Sequence, residues 1–267
     1  MFARKSLGQN FLKDKEVLKD IIAASEIKPG EVVLEIGPGL GVLTEALLQA
    51  GATVIAVEKD ERLISELQKR FALAITAHKL YLVHDDALEF SISNFQFSVK
   101  SQFSISNYKI VANIPYYITG ALLEKFLTEK VQPSRMVLLV QKEVAERITV
   151  KDGKESILSI SVKAYGTPSI VRYVSKESFE PVPKVDSAIL QIGSISRDFF
   201  TAVEPLRNEK RFFELVKKGF AHKRKKLSSN LKLQGSPLEL VGNRRAEELS
   251  LDDWRELYNS LESSRGR

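Results

Sequence analysis

The segment EVVLEIGPGLGVLTEALLQAG, residues 31–51, decides the fold class. It begins with a β-branched apolar run, which is typical of a strand that is buried on both faces. Glycines at positions 37, 39 and 41 then provide a tight turn, and the apolar residues of 41–51 have helical spacing up to a terminal glycine. A strand, a glycine-rich turn and a helix in this order are typical of an open α/β sheet, which binds ligands at such turns.

Strand and helix patterns alternate through the first two thirds of the chain. The strand-like runs are apolar throughout, as buried parallel strands are, so we expect a mostly parallel sheet with helices on both faces. The strand-like runs are residues 53–60, 79–87, 108–115 and 135–143, and helical patterns cover 61–72 and 121–129. Two later runs, 169–175 and 184–193, have no long helix between them and are expected to form an antiparallel hairpin at one edge.

The pattern changes after about residue 194, where only helical segments follow, so we predict two domains, 1–193 and 194–267. The second domain contains 16 Lys and Arg against 11 Asp and Glu, a net +5, whereas the first has 24 against 23, a net +1. Such an asymmetry favours a polyanionic partner for the second domain. The alternative is a basic helical surface that is merely solvated.

Composition excludes several classes of protein. The chain has no cysteine, which excludes disulfides, thiolate metal sites and cysteine nucleophiles. The three histidines are scattered without metal-ligand spacing, so no metal site is expected. Apolar runs are too short to span a membrane, and the N-terminus lacks the apolar region of a signal peptide. We therefore expect a cytoplasmic protein, and nothing in the sequence requires more than a monomer.

Acidic residues at strand ends support a nucleoside cofactor at the glycine turn. Glu58 ends the second strand, 21 residues after Gly37, where a carboxylate can accept hydrogen bonds from both ribose hydroxyls. Asp86 ends the third strand, where it can meet an adenine amino group. The dinucleotide fingerprint requires a glycine at the position of Val42, so a cofactor without a pyrophosphate, S-adenosylmethionine, fits better. The alternative is a tight turn with solvent-facing acids at the strand ends.

The fourth strand ends in the unusual sequence NIPYY, residues 113–117. If the substrate is an exocyclic amine of a base, the Asn113 oxygen and a backbone carbonyl at Pro115 can accept from its N–H groups and aim it at the sulfonium methyl. Tyr116 can then stack on the base. The alternative is a helix start, in which Asn113 or Thr119 caps the helix that follows.

These motifs together resemble the ribosomal RNA adenine N6,N6-dimethyltransferase family, most closely its bacterial small-subunit branch. The resemblance extends from Arg4 to about Leu257. It is carried, in order, by KSLGQNFL, EIGPGLGVLT, VIAVEKD, HDDAL, NIPYYIT, VQKEVAERI, SFEPVPKVDSAIL and GFAHKRKKLSSNL. Three stretches depart from the family pattern: Thr119-Gly120, residues 155–159, and residues 91–109, which contain no acid and are expected to form a loop or short hairpin.

The resemblance implies a Rossmann-like class I methyltransferase sheet in 1–193 and a small all-helical domain that binds rRNA and the ribosome in 194–267. It implies that the cofactor, S-adenosylmethionine, is bound by Asn10, Leu12, Gly37, Glu58, Asp86 and Asn113. Asn113 and the Pro115 carbonyl would hold the target amine, while Tyr116 and Phe179 would stack on the two faces of the flipped adenine. For Phe179, packing in the core is an equal alternative. Phosphate contacts are expected from Lys217, Lys218, Lys223, Arg224, Lys225 and Lys226.

The implied reaction is dimethylation of two adjacent adenosines in a hairpin near the 3′ end of small-subunit rRNA, within a pre-ribosomal particle. Two alternatives stay open. One is a large-subunit rRNA dimethyltransferase that confers antibiotic resistance, although Lys184 to Ala188 and the HKRKKL segment resemble the small-subunit branch more closely. The other is a binding protein that acts mainly in ribosome assembly.

Overall fold

A computed structural model of the chain describes residues 9–98, 105, 107–150, 154–201 and 208–265. The chain divides into two compact units. The first comprises Met1–Ala145 and Pro168–Ile195, and the second comprises Glu146–Thr167 and Ser196–Arg267.

The first unit contains a seven-stranded sheet and a separate pair of strands, flanked by helices. Its strands are β1 (Phe11–Leu12), β2 (Val32–Ile36), β3 (Thr53–Glu58), β4 (Leu80–His84), β5 (Lys109–Asn113), β6 (Arg135–Gln141), β7 (Thr167–Val174), β8 (Phe179–Glu180) and β9 (Ser187–Gly193). Its helices are α1 (Lys15–Ser25), α2 (Val42–Gln49), α3 (Glu61–Arg70), α4 (Ala72–Thr76), α5 (Ile92–Ser98), α6 (Thr119–Thr128) and the start of α7 (Lys142–Ile148).

Seven strands form the main sheet in the order β4-β3-β2-β5-β6-β9-β7, while β1 and β8 form a separate antiparallel pair. Strands β2 to β6 pair in parallel, and β9 pairs antiparallel with β6. The strand order reverses between β2 and β5, so the carboxyl ends of these strands form the crevice in which such sheets bind ligands. The predicted fold class is confirmed, including the antiparallel strands at one edge.

Burial explains why these segments form the central strands. All residues of β2 and β3 are buried, as expected of parallel strands with helices on both faces. Helix α1 packs Val17 and Ile21 into the same core and begins after Asp14, whose carboxylate accepts from the N–H groups of Glu16 and Val17.

The segment from residue 91 differs from the expectation of a loop or hairpin, because α5 covers Ile92–Ser98. Ile92 is fully buried, and the Phe95 ring packs against Tyr81 and Phe90 at centroid distances of 5.8 and 5.9 Å. Apolar anchoring of this kind stabilises a short helix that propensity alone does not predict. Residues 99–104 and 106 of the stretch lie outside the described residues.

The second unit is helical, with α8 (Ile157–Lys163), α9 (Asp198–Thr201), α10 (Glu209–Gly219), α11 (Leu227–Leu231), α12 (Ser236–Val241) and α13 (Leu251–Arg265). Its core is aromatic and includes the fully buried Phe212 and Trp254. Residues 146–167 belong to this unit, whereas the sequence division assigned them to the first domain. The reason is packing, since the Tyr165 ring contacts Phe200 and Phe213 at centroid distances of 5.2 and 5.9 Å.

Candidate active site

A cavity lies within the first unit at the carboxyl ends of the central strands. It is lined by the start of the described chain, the glycine turn after β2, the ends of β3, β4 and β5, and the 3-10 turn Tyr116–Ile118. Eight of the predicted site residues line it, namely Asn10, Leu12, Gly37, Glu58, Asp86, Asn113, Pro115 and Tyr116. The fold thus brings together residues that lie far apart in the sequence.

The glycine turn forms one wall of the cavity. Gly37 and Gly39 have positive φ angles of 66° and 59°, a conformation that side chains rarely adopt. A Cβ atom on Gly39 would lie 3.0 Å from the Phe11 ring, so this glycine also permits the close approach of the first described strand. The Gly37 N–H donates to the Val57 carbonyl at 2.9 Å, which ties the turn to β3.

Glu58 is buried at the end of β3 and holds two backbone groups in place. Its Oε1 accepts from the Asp60 N–H at 2.8 Å and its Oε2 from the Gly39 N–H at 3.3 Å. Burial raises the pKa of this carboxyl, while the backbone hydrogen bonds oppose that rise. The Glu58 side chain therefore lies against the glycine turn at the wall of the cavity.

Asp86 lies at the cavity rim and is paired with a residue that the motif analysis did not single out. Lys59 Nζ donates to Asp86 Oδ2 at 2.6 Å, and the Leu88 N–H donates to Oδ1 at 2.9 Å. The hydrogen bond from Lys59 lowers the pKa of Asp86, so the carboxylate is charged and able to accept from an amino group. The sequence position of Lys59 could have indicated this pairing, since Lys59 directly follows Glu58 at the end of β3, next to β4.

The Asn113 side chain has a defined orientation at the end of β5. Its Nδ2 donates to the Asn10 carbonyl at 2.9 Å. A carbonyl can only accept, so the nitrogen end of the amide must face Asn10 and the oxygen end is the one left to accept from a ligand. The alternative in which Asn113 caps a helix is not observed, because α6 begins at Thr119 and no side chain caps it.

Pro115 and Tyr116 lie beside Asn113. The Pro115 carbonyl accepts from the Ile118 N–H at 3.2 Å, which uses one of its two lone pairs within the 3-10 turn. The Tyr116 hydroxyl shares a hydrogen bond of 2.7 Å with Ser187 Oγ, and this contact fixes one edge of the ring. Burial raises the pKa of Tyr116, so the hydroxyl is neutral.

Phe179 does not line the cavity, and its assignment as a second stacking ring needs correction. Its side chain is 0% exposed and packs in the core of the first unit. It lies in β8, where its register partner is Leu12 of β1. The packing alternative is therefore the one observed. The aromatic residue that lies at the cavity and is exposed is Tyr117, with 66% of its surface accessible.

Glu35 also lines the cavity, although its position in an apolar strand led to no prediction of a role in the site. It is 1% exposed, and the Thr44 hydroxyl donates to its Oε2 at 2.6 Å. Within the described residues, Oε1 is buried without a hydrogen-bond partner. Burial raises its pKa to about 8. An acid within an apolar strand was the available signal, since acids are seldom fully buried without a role.

The basic residues of the second unit that were singled out are all exposed, but only Lys217 and Lys218 lie in a helix. Lys223 to Lys226 form a turn between α10 and α11, so these four residues lie outside the helices. Helix α10 ends at Gly219, where a Cβ atom would lie 2.3 Å from the Trp254 ring. Asn230 Nδ2 donates to the Gly219 carbonyl at 2.6 Å and stabilises this turn.

In the part of the chain that the structure describes, no group of three or more His, Cys, Asp or Glu residues could hold a metal ion. No helix among the described residues is long and apolar enough to cross a membrane.

Comparisons with known proteins agree with this geometry. The model of the family "Ribosomal RNA adenine dimethylase" matches residues 2–262. Ribosomal RNA small subunit methyltransferase A of Dehalococcoides mccartyi is 40% identical over 96% of this chain and 87% of its own length. The protein of the same name from Clostridium botulinum is 37% identical over 96% of this chain and 93% of its own length.

Solved structures of related fold show the same likeness. A dimethyladenosine transferase from Plasmodium falciparum has a TM-score of 0.78 at 28% identity, covering 95% of this chain and 98% of that one. The 23S rRNA methyltransferase ErmE has a TM-score of 0.73 at 25% identity, covering 95% of this chain and 100% of that one.

The cavity suits S-adenosylmethionine, the cofactor of this family. Glu58 and Asp86 provide two acidic side chains at the cavity, and the unpartnered Oε1 of Glu35 is a buried polar atom among the described residues that line it. The family match over almost the whole chain and the full-length relatives agree with these features. The chain therefore belongs to the ribosomal RNA adenine dimethylase family and is an S-adenosylmethionine-dependent methyltransferase.

Proposed function

We propose that this protein methylates N6 of two adjacent adenosines in a hairpin near the 3′ end of small-subunit rRNA, giving N6,N6-dimethyladenosine. The observation that carries the proposal is the orientation of Asn113, whose Nδ2 is bonded to Asn10 so that Oδ1 is the acceptor for an amine. The small-subunit specificity is supported by the names of the relatives at 37% and 40% identity.

The residues of the chain orient the target rather than deprotonate it. When bound, S-adenosylmethionine supplies an electrophilic methyl group. The N6 lone pair of adenine is delocalised into the ring, and acceptors on the N–H groups favour a pyramidal nitrogen whose lone pair is available. Asn113 Oδ1 is one such acceptor, and the second lone pair of the Pro115 carbonyl is the other. This contribution is one of positioning and electrostatics.

Tyr116 stabilises the extruded base. Base–aromatic stacking contributes about 1–3 kcal/mol, comparable with the few kcal/mol needed to unstack a base in a flexible loop. The hydrogen bond between the Tyr116 hydroxyl and Ser187 holds the ring in place before the RNA arrives. The ring therefore does not have to lose rotational freedom on binding.

The second unit provides contacts to the RNA backbone. Lys217, Lys218 and the basic turn 223–226 are exposed cations, and each phosphate contact would release condensed counterions. The partner would be a pre-ribosomal small subunit, which places the reaction in the cytoplasm. We also propose that the protein acts as a monomer, because nothing in the sequence requires a second copy.

Methyl transfer from labelled S-adenosylmethionine tests the proposal. Small subunits lacking their dimethyladenosines, large subunits and naked large-subunit rRNA would be assayed in parallel, followed by nucleoside analysis. We expect dimethyladenosine in the small-subunit RNA alone. Label in large-subunit RNA would instead support the antibiotic-resistance activity, for which the similarity to ErmE is the specific observation.

An Asn113→Ala variant separates catalysis from a role in assembly. If the variant loses methyl transfer and also fails to support small-subunit maturation, methylation is the function. If it loses methyl transfer but still supports maturation, the protein acts mainly by binding.

A further inference from the structure

The edge strand of the first unit carries an exposed aromatic ring beside a lysine. Tyr173 of β7 is 52% exposed, and Lys142 Nζ lies 5.1 Å from the centroid of its ring. Lys142 is exposed as well, and it directly follows Gln141, the last residue of β6. The pair therefore lies at the carboxyl end of β6, the edge of the sheet that forms the cavity.

The direction of the neighbouring side chains shows that Tyr173 is not part of the core. Arg172 pairs with Asp20 of α1 at 2.6 Å, so its side chain points to the helical layer that α1 forms. Successive side chains of a strand alternate between faces, so Val171 and Tyr173 lie on the opposite face. Val171 is also exposed, at 42%. Two large side chains on one face of an edge strand are thus accessible.

A short chain of contacts connects this pair to the proposed target-base site. Tyr116, the proposed stacking ring, is bonded to Ser187, and Ser187 is the register partner of Gln141. The next residue, Lys142, donates its N–H to the Asp186 carbonyl at 3.0 Å. One register pair of strand residues, Gln141 and Ser187, therefore lies between Lys142 and Tyr116 in this chain of contacts.

We propose that Tyr173 and Lys142 bind a nucleotide of the RNA strand that flanks the target adenosine. The inference rests on the proposed function. An exposed tyrosine ring offers a stacking platform that tolerates any base, and the lysine ammonium offers a contact to the phosphate of the same nucleotide. Charge complementarity and continuity with the target-base site favour an RNA strand over a protein partner. The flanking nucleotide would help hold the extruded conformation open.

The test measures affinity for naked small-subunit rRNA and for small subunits lacking dimethyladenosine. Tyr173→Ala is expected to weaken binding of both by about five- to 150-fold, as the loss of one stacked base does. Tyr173→Phe keeps the ring and is expected to bind like wild type. Lys142→Gln is expected to make the slope of log K against log salt concentration shallower, by the amount that one phosphate contact contributes. Leu73→Ala, at a side chain that is 88% exposed on α4, is the matched surface control.

A spectroscopic readout distinguishes stacking from a structural effect. With 2-aminopurine placed next to the target adenosines, we expect wild type and Tyr173→Phe to quench its fluorescence more than Tyr173→Ala does. S-adenosylmethionine affinity and the melting temperature should be unchanged in all variants.

Three outcomes would overturn the inference. They are wild-type affinity and quenching in Tyr173→Ala, an equal loss in Tyr173→Phe, and a defect confined to assembled subunits, which would indicate a protein partner. Failure of the proposed function would be detected by a different measurement. In that case the wild-type protein would bind RNA but would not methylate small-subunit adenosines.

Discussion

The side-chain nitrogen of Asn113 donates a hydrogen bond of 2.9 Å to the main-chain carbonyl of Asn10, 103 residues earlier in the chain. This bond joins the end of β5 to the start of the described chain across the cavity. It also assigns the two ends of the amide, because only the nitrogen can donate. The position of the acceptor oxygen is thus set before a substrate binds, which is how preorganised sites reduce the cost of orientation.

Asn113→Asp tests this assignment. The substitution replaces the donor with a second oxygen, which would face the Asn10 carbonyl without a hydrogen bond. We expect a loss of methyl transfer of about 100-fold or more, the size seen when one preorganised polar group is removed from an active site. Single-turnover rates would measure it, with Asn94→Ala on α5, outside the cavity lining, as the control for an exposed amide. A variant within a few-fold of wild type would contradict the assignment.

Tyr116 and Ser187 should separate stacking from ring positioning. Tyr116→Ala removes the ring and is expected to reduce kcat/KM for RNA by about five- to 150-fold, corresponding to about 1–3 kcal/mol of stacking. Tyr116→Phe keeps the ring but leaves the buried Ser187 hydroxyl without this partner, so a smaller loss with some destabilisation is expected. Steady-state rates and thermal melts would measure both. If Tyr116→Phe were as damaging as Tyr116→Ala, the hydroxyl rather than the ring face would be the functional group.

Gly39→Ala should weaken cofactor binding through the Phe11 contact. Alanine there meets both an unfavourable φ and the Phe11 ring at 3.0 Å, so the wall of the cavity has to shift. Gly30 has a φ of +86°, but no atom of the described residues lies within 4 Å of a Cβ built there. Gly30→Ala therefore isolates the backbone strain, about 1–3 kcal/mol. Calorimetric titration with S-adenosylmethionine should show weaker binding for Gly39→Ala alone. Equal affinities would contradict the steric account.

Glu35→Gln should change the pH dependence of stability. Burial raises the pKa of Glu35 to about 8 from its ordinary value of 4.5, so the folded state holds a proton that the unfolded state has released between these values. The contribution of Glu35 to the free energy of unfolding is therefore greatest below about pH 4.5. It falls as the pH rises towards 8, by at most about 1.4 kcal/mol per pH unit.

Urea unfolding at pH 5.5 and 7.5 would measure the change. The side-chain amide of the Glu35→Gln variant has no proton to lose, so we expect its stability to fall less than that of wild type over this interval. The exposed Glu124 on α6 provides a matched control in Glu124→Gln, which removes a surface carboxyl instead of the buried one. Parallel pH profiles for wild type and Glu35→Gln would contradict a raised pKa at Glu35.

Local sequence patterns were sufficient to predict the sheet and most of the predicted residues that line the cavity. The apolar runs of β2 and β3 are continuous because both faces are covered, and the acids at 58 and 86 interrupt the pattern where the strands end. Glu58 is the last residue of β3 and Asp86 lies two residues after the end of β4, so each acid can be recognised from the strand pattern next to it. Asn113 was found in the same way, because an amide and a proline are unusual directly after an apolar strand.

The features that sequence reasoning missed depend on contacts between distant segments. Phe179 lies in the motif SFEPVPKVDSAIL, which gives no indication of whether the ring faces a ligand or the core, and only its burial in the folded unit shows that it faces the core. Residues 146–167 join the helical unit because Tyr165 packs against Phe200, 35 residues later. Glu35 lies in a strand whose other residues are apolar, and only burial shows that its carboxyl is enclosed.

The most direct test of the central claim is mass analysis of the small-subunit RNA after reaction with this protein and S-adenosylmethionine. Wild type should place two methyl groups on N6 of each of two adjacent adenosines in the 3′-terminal fragment, and Asn113→Ala should leave that fragment unmodified. Methyl groups elsewhere in the RNA, or full modification by Asn113→Ala, would contradict the account.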